Sequence, residues 1–225
     1  MKLMGHRGAR DRAPENTMRS FQALLDSGLA VVEFDIHESI DGVWVVHHDD
    51  TLDRTTTSKG FLKDKNWREL STVKTPEGDS LPQLTNVLNL FKDTEVELQI
   101  EIKSSGDLKK LGELLKNHID VQRITMISFN HKWLLDFKLI FPDIKTSCLF
   151  FGLPLDPVSI VRVAQADGLS LSVNWTDEEL VKKCKAEGLT VTAWNANDEP
   201  TFLKMRSIGV DYLGTDVPYQ AIKWG

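Results

Sequence analysis

The chain has 225 residues, 41% hydrophobic and 27% charged, with a formal charge of −6 at pH 7, enough for one substantial core and an ordinary globular balance. The negative charge and the lack of a basic tract argue against a nucleic-acid binder, since nothing offsets a backbone of phosphates. Only Cys148 and Cys184 are present, in unlike surroundings; they read as reduced core thiols, and with no apolar leader or long apolar run the expectation is a cytoplasmic protein without stable membrane insertion.

Short apolar runs then alternate with helical patterns along the chain. A strand at 2–6 is followed by a helix at 17–27, which Asn16 or Thr17 can cap and Gly28 can stop. A strand at 30–36 leads to a short extra strand at 42–46 and a polar excursion whose Leu52, Phe61, Leu62, Trp67 and Leu70 suffice for a small packed insertion but not for an independent unit. Trp44 reads as core of the same excursion. Leu81-Pro82 restores the rhythm: helix 84–91, strand 97–103, helix 108–117, strand 124–128, helix 132–141, strand 144–150, helix 157–166 and strand 168–172. Helix 178–186 follows, with Thr176 as its expected cap and Glu179 at the capping-box position. Gly188 reads as its stop, and strand 190–193, helix 199–208 and strand 210–213 complete the series. Eight strands with intervening helices predict an α/β fold, a TIM-type (β/α)8 barrel over 1–225 with a small insertion at about 43–80; a doubly wound sheet would use the same units.

The chemistry concentrates early. In the second strand Val32, Phe34 and Ile36 face one layer while Glu33 and Asp35 face the other, and Glu101 and Lys103 repeat the arrangement in the next main strand. Buried carboxylates need a cation or a paired base. Oxygen ligands suit Mg2+ or Ca2+, and the rival reading is an ion-pair network neutralised by Lys103. His6 and His48, each beside charged neighbours at a predicted strand end, can divide the work of acid and base. His47 should point away from His48, and His37, His118 and His131 read as loop or surface residues. Arg7 offers a planar donor for a phosphoryl group and Lys103 a point charge, while Gly5 and Gly8 permit a sharp turn around His6. Phe129, Phe150, Phe151, Trp175 and Trp194 lie at or beyond strand ends, where they would line the mouth; Trp194 is the best of them for holding an apolar face of substrate.

Taken together, these residues resemble the glycerophosphodiester phosphodiesterase family. The resemblance lies in His6-Arg7-Gly8 with Pro14-Glu15-Asn16-Thr17, in Glu33-Phe34-Asp35, and in the run from Val45 through His48-Asp49 to Thr56. It continues through Leu81-Pro82, Glu101-Ile102-Lys103, Trp194-Asn195 and the closing run from Gly209 to Pro218. It implies the barrel, with Glu33, Asp35 and Glu101 as ligands of one divalent cation, His6 and His48 as acid/base pair, Arg7 and Lys103 on the phosphate, and Trp194 near the substrate. Glu15, Asn16 and Asp49 take supporting roles: fixing the first loop, capping its helix and orienting the neighbourhood of His48. The implied reaction converts a small glycerophosphodiester to sn-glycerol 3-phosphate and an alcohol through attack by the neighbouring 2-hydroxyl and a cyclic phosphate. Two alternatives stay open, cleavage of lysophospholipids (for which the sequence displays no evident apolar ramp) and a noncatalytic binding barrel. Neither the choice of Mg2+ or Ca2+ nor the oligomeric state is specified by the sequence.

Overall fold

Adjacent strand residues do point to opposite layers in the computed structural model, which describes residues 1–225. The strands are β1 (Lys2–His6), β2 (Val31–Glu38), β3 (Trp44–Val46), β4 (Glu97–Ile102), β5 (Ile124–Ser128), β6 (Lys145–Phe150), β7 (Gly168–Ser172), β8 (Thr190–Trp194) and β9 (Tyr212–Thr215). All but β3 pair in parallel, and β1 joins both β2 and β9, so eight strands close into a barrel. The helices are α1 (Met18–Ser27), α2 (Trp67–Leu70), α3 (Leu84–Phe91), α4 (Leu108–His118), α5 (His131–Ile140), α6 (Pro157–Val163), α7 (Glu178–Ala186), α8 (Glu199–Ile208) and α9 (Pro218–Ala221). None is long and apolar enough to cross a membrane.

The outward strand faces make the main core. Val32, Phe34 and Ile36 are fully buried there, and Phe34 meets the edge of Phe21 on α1 with ring centroids 5.5 Å apart, while Phe21 meets Phe91 on α3 at 6.1 Å. Such edge-to-face aromatic pairs add about 0.5–1.5 kcal/mol to their area burial. Glu33 and Asp35 are consequently turned to the barrel interior.

Local signals fix most helix ends. Thr17 caps α1 in a reciprocal pair with Ser20, and Gly28 ends it in the left-handed region at φ 76°. Asp177, rather than Thr176, caps α7: its carboxylate accepts from Leu180 N at 2.8 Å, while the Thr176 hydroxyl donates to Ser172 O. Asp198 caps α8, with Pro200 in the first turn. The last strand lies at Tyr212–Thr215, two residues beyond its expected start, and α6 stops at Val163.

The excursion begins with β3, antiparallel on the C-terminal extension of β2. Val45, Leu52, Leu62, Leu70, Val73 and Leu81 form its own small cluster, with Trp67 packed on it. Trp44 departs from the expectation. It lies in the main barrel core, because β3 alternates and places Trp44 and Val46 opposite Val45.

Candidate active site

Register alone brings the carboxylates together. His6 on β1 lies opposite Glu33 on β2, and Asp35 lies opposite Glu101 on β4. Inward-facing partners on neighbouring strands become lateral neighbours in the barrel, and one oxygen from each of Glu33, Asp35 and Glu101 falls within 4.8 Å of the others. All three residues are buried. Burial and the charge of Asp35 push Glu33 well above the usual carboxylate range and Glu101 up to about 7. Burial pushes Asp35 the same way, but the charges of Arg7, His48 and Lys103 more than offset it and hold it low.

The β1–α1 turn is shaped around this cluster. Arg7 and Gly8 take φ of 58° and 85°; a Cβ at Gly8 would stand 2.5 Å from Ser20 Oγ, so only glycine lets α1 approach. The left-handed turn aims Arg7 N–H at Glu33 Oε2, 3.1 Å away. The Arg7 guanidinium bonds Glu15 through Nη1 at 2.8 Å and lies 3.4 Å from Asp35 through Nε. Asn16, also at positive φ (57°), does not cap the helix; its amide donates to Asp35 Oδ2 at 2.8 Å. Glu15 anchors the loop by ion pairs to Arg7, Arg10 and Arg54. Burial pushes its carboxyl up, but the Arg54 hydrogen bond and the Arg7 and Arg10 charges bring it down to about 2.

Two histidines flank the carboxylates. His6 Nδ1 donates to Asp216 Oδ1 at 2.6 Å, leaving Nε2 in the cleft, 3.9 Å from Glu33 Oε2. Asp216 is itself held by Arg10 at 2.6 Å and by Asn197 Nδ2 at 2.7 Å, and Asn195 Nδ2 lies 2.9 Å from the same ring nitrogen of His6. Burial raises Asp216, yet the His6 hydrogen bond and charge hold it far below its ordinary value. His48 Nδ1 donates to Asp49 Oδ1 at 2.5 Å, and its Nε2 accepts from Lys103 Nζ at 3.2 Å. Arg54 forks onto both Asp49 oxygens, at 2.7 and 2.8 Å, and these bonds keep Asp49 ionised. Burial pushes both His6 and His48 below their ordinary value. Lys103 Nζ also donates to Glu101 Oε1 at 2.9 Å.

His6, Arg7, Glu33, His48, Glu101 and Lys103 line a cleft of about 260 Å³ at the C-terminal ends of the strands, the end of a (β/α)8 barrel where loops carry chemistry. Its opposite wall is aromatic. Phe129 stacks on Phe151 at 3.9 Å, and Trp194 meets Phe129 edge-on at 6.3 Å. Phe150 does not join them, because strand alternation turns it into the main core beside His131. Trp175 is half exposed and outside the cleft.

The remaining histidines are more tied down than their sequence positions suggest. His37 is a buried β2 residue whose Nε2 donates to His48 O at 3.1 Å, bracing the segment that carries His48. His47 points away from its neighbour and donates to Thr51 O. His131 opens α5 and bonds Leu149 O, and His118 ends α4 and bonds Leu114 O. The residues that the sequence left without roles are Asp216, Asn195, Asn197, Arg10 and Arg54. Asp216 carried a usable signal: a carboxylate two residues beyond an inward glycine at the end of the last strand.

Comparison with known proteins identifies the family. Residues 6–220 match the glycerophosphoryl diester phosphodiesterase family. A glycerophosphodiester phosphodiesterase of Caldanaerobacter subterraneus is 32% identical over 96% of this chain and 94% of its own, and one of Bacillus altitudinis is 29% identical over 99% and 97%. Among solved structures, a phosphodiesterase of Oleispira antarctica in complex with the product sn-glycerol-3-phosphate superposes with a TM-score of 0.93 at 26% identity, covering 100% of this chain and 96% of that one. In sequence, barrel and matched length alike, the chain belongs to the glycerophosphoryl diester phosphodiesterase family and is an enzyme of that phosphodiesterase class.

Proposed function

We propose that this enzyme cleaves glycerophosphodiesters such as glycerophosphocholine or glycerophosphoethanolamine to sn-glycerol 3-phosphate and an alcohol, with Mg2+ or Ca2+ held by Glu33, Asp35 and Glu101. The donor set fits such an ion. All three ligands are carboxylates, the preference of hard cations, and Asp35 Oδ1 is buried without a hydrogen-bond partner. Burial and the like charge of Asp35 push Glu33 and Glu101 up, a cost that a bound cation would offset. When bound, the cation would supply Lewis-acid charge at a nonbridging phosphate oxygen.

The chain's own groups account for the proton transfers. His6 and His48 each commit Nδ1–H to a carboxylate, which fixes the tautomer and turns Nε2 inward. One histidine removes the proton of the glycerol 2-hydroxyl as that oxygen attacks phosphorus, and the other protonates the departing alcohol. Water then opens the cyclic phosphate with the roles exchanged. Arg7 and Lys103 offset charge on the phosphoryl oxygens, and Trp194 with Phe129 covers carbon rather than oxygen.

The observation that carries this reading is the triple carboxylate cluster lying between two carboxylate-backed histidines. Its test is release of glycerol 3-phosphate from glycerophosphocholine, lost with chelator and restored by Mg2+ or Ca2+. Bis-p-nitrophenyl phosphate, which lacks a neighbouring hydroxyl, should be a poor substrate; equal turnover of the two would sink the intramolecular attack.

A further inference from the structure

The cleft has a floor that the chemistry above leaves unused. Two residues before Glu101 on β4, on the same inward face and one layer deeper, stands Gln99, in register with Glu33 on β2 and Thr125 on β5. It is 3% exposed and lines the cleft, and its Oε1 is buried with no hydrogen-bond partner. Met4, Ile127 and Leu149 surround the floor with carbon, and Ser170 of β7 brings the one hydroxyl of the lining. A layer further down, Glu97 accepts from Lys2 and, at 2.9 Å, from the Tyr212 hydroxyl. The polar groups beneath the floor thus satisfy one another, while the amide at the floor bonds nothing through its oxygen. A buried polar atom left in that state carries a cost and calls for a partner.

The two halves of a glycerophosphodiester make different demands on such a cleft. The alcohol half varies and has to depart, so it belongs on the open side, where Phe151 is 80% exposed. The glycerol half is constant in size. With the phosphate between His6 and His48 and the 2-hydroxyl directed at phosphorus, the remaining carbon carries its terminal hydroxyl away from the phosphate, toward the closed floor. A few polar groups placed in a mostly apolar pocket are what fixes a ligand's orientation. We infer that Gln99 is a specificity-determining residue, its Oε1 accepting from the terminal primary hydroxyl of the glycerol half, with Ser170 completing the polar floor. This rests on the phosphodiesterase reading proposed above. No bond of that hydroxyl is made or broken; the contact holds the glycerol so that the 2-hydroxyl stays aligned with phosphorus. A substrate without it would leave the amide unpaired and dry, which is the strongest ground on which a site rejects an analogue.

The full chain, supplied with Mg2+ or Ca2+, is assayed on glycerophosphocholine and on the phosphocholine ester of propane-1,2-diol. The second ester keeps the 2-hydroxyl, its configuration and the head group, and lacks only the terminal hydroxyl. Its kcat/KM should be about 10–100-fold lower. Gln99→Met, close to glutamine in volume, should lower glycerophosphocholine by about that factor and the propanediol ester by much less, so that the two converge. Its thermal midpoint should be no lower than that of the parent chain, since the amide it removes is unpaired in the free protein. Ser170→Ala should narrow the gap between the esters by a smaller factor. Equal turnover of the two esters by the parent chain overturns the inference without recourse to any variant, and leaves the phosphodiesterase reading standing. A loss in Gln99→Met shared equally by both esters, as a packing role would give, does the same. Cleavage of neither ester by the parent chain overturns that reading and the inference together.

Discussion

The two histidine stations use the same device by different means. His6 sits on a barrel strand and takes its carboxylate from a residue 210 positions away, where β9 docks on β1. His48 sits just beyond β3 and takes its carboxylate from the next residue, with Arg54 reaching back to clamp it. Their inner faces differ as well. Nε2 of His6 looks toward the carboxylate of Glu33, whereas Nε2 of His48 is already engaged by the Lys103 ammonium. The same histidine–carboxylate pair has thus been assembled once by tertiary closure and once by local sequence, so damage to the two should not be equivalent.

The largest effect tests whether both stations are needed. His6→Ala and His48→Ala should each lower kcat by at least about 10²-fold with the circular dichroism spectrum unchanged. A folded variant that keeps its turnover removes its station from the mechanism.

The next separates their supports. Asp216→Asn should cost about 10–100-fold in kcat with little change in KM, as loss of an orienting carboxylate does elsewhere. Asp49→Asn should cost roughly tenfold or less, because Lys103 still holds the far side of the His48 ring. Equal losses would erase the distinction between long-range and local support.

That distinction also governs what could be read in advance. Glu33, Asp35, Glu101, His6 and His48 were legible because period-two alternation and strand-end placement are written in a few adjacent residues. Asp49 was legible as a neighbour of His48. The pairing of Asp216 with His6 was not, since it depends on the register of β1 against β9, and no local pattern encodes that register. Phe150 and Trp44 failed for a related reason: being near a strand end does not determine which layer a side chain enters, and each was turned to the main core by the parity of its own strand. Thr176 yielded the cap of α7 to Asp177 because its hydroxyl found a carbonyl nearer at hand.

The smallest effect lies in the loop that links the stations. Glu15 titrates at about 2 in the folded chain against an ordinary 4.5, so the unfolded chain binds more protons across that interval. The stability due to its ion pairs is complete above about pH 4.5 and is lost as the pH falls toward 2. After allowance for solvent screening this amounts to ~1–2 kcal/mol. Urea midpoints of Glu15→Gln should therefore fall less steeply than those of the parent chain between these limits; parallel curves would show that the arginine clamp contributes nothing to acid stability.

The seam between β1 and β9 bears on the order in which the protein is made. By residue 103 a growing chain already holds His6, Arg7, the three carboxylates, His48 and Lys103, every residue given to cation, proton or phosphate in the proposed reaction. It does not hold the strand that carries its closing edge, nor the aspartate that fixes His6. Completion of the proposed site thus waits for the last strand of the barrel to be synthesised and docked, since a chain that stops short of it lacks both β9 and the aspartate that holds His6.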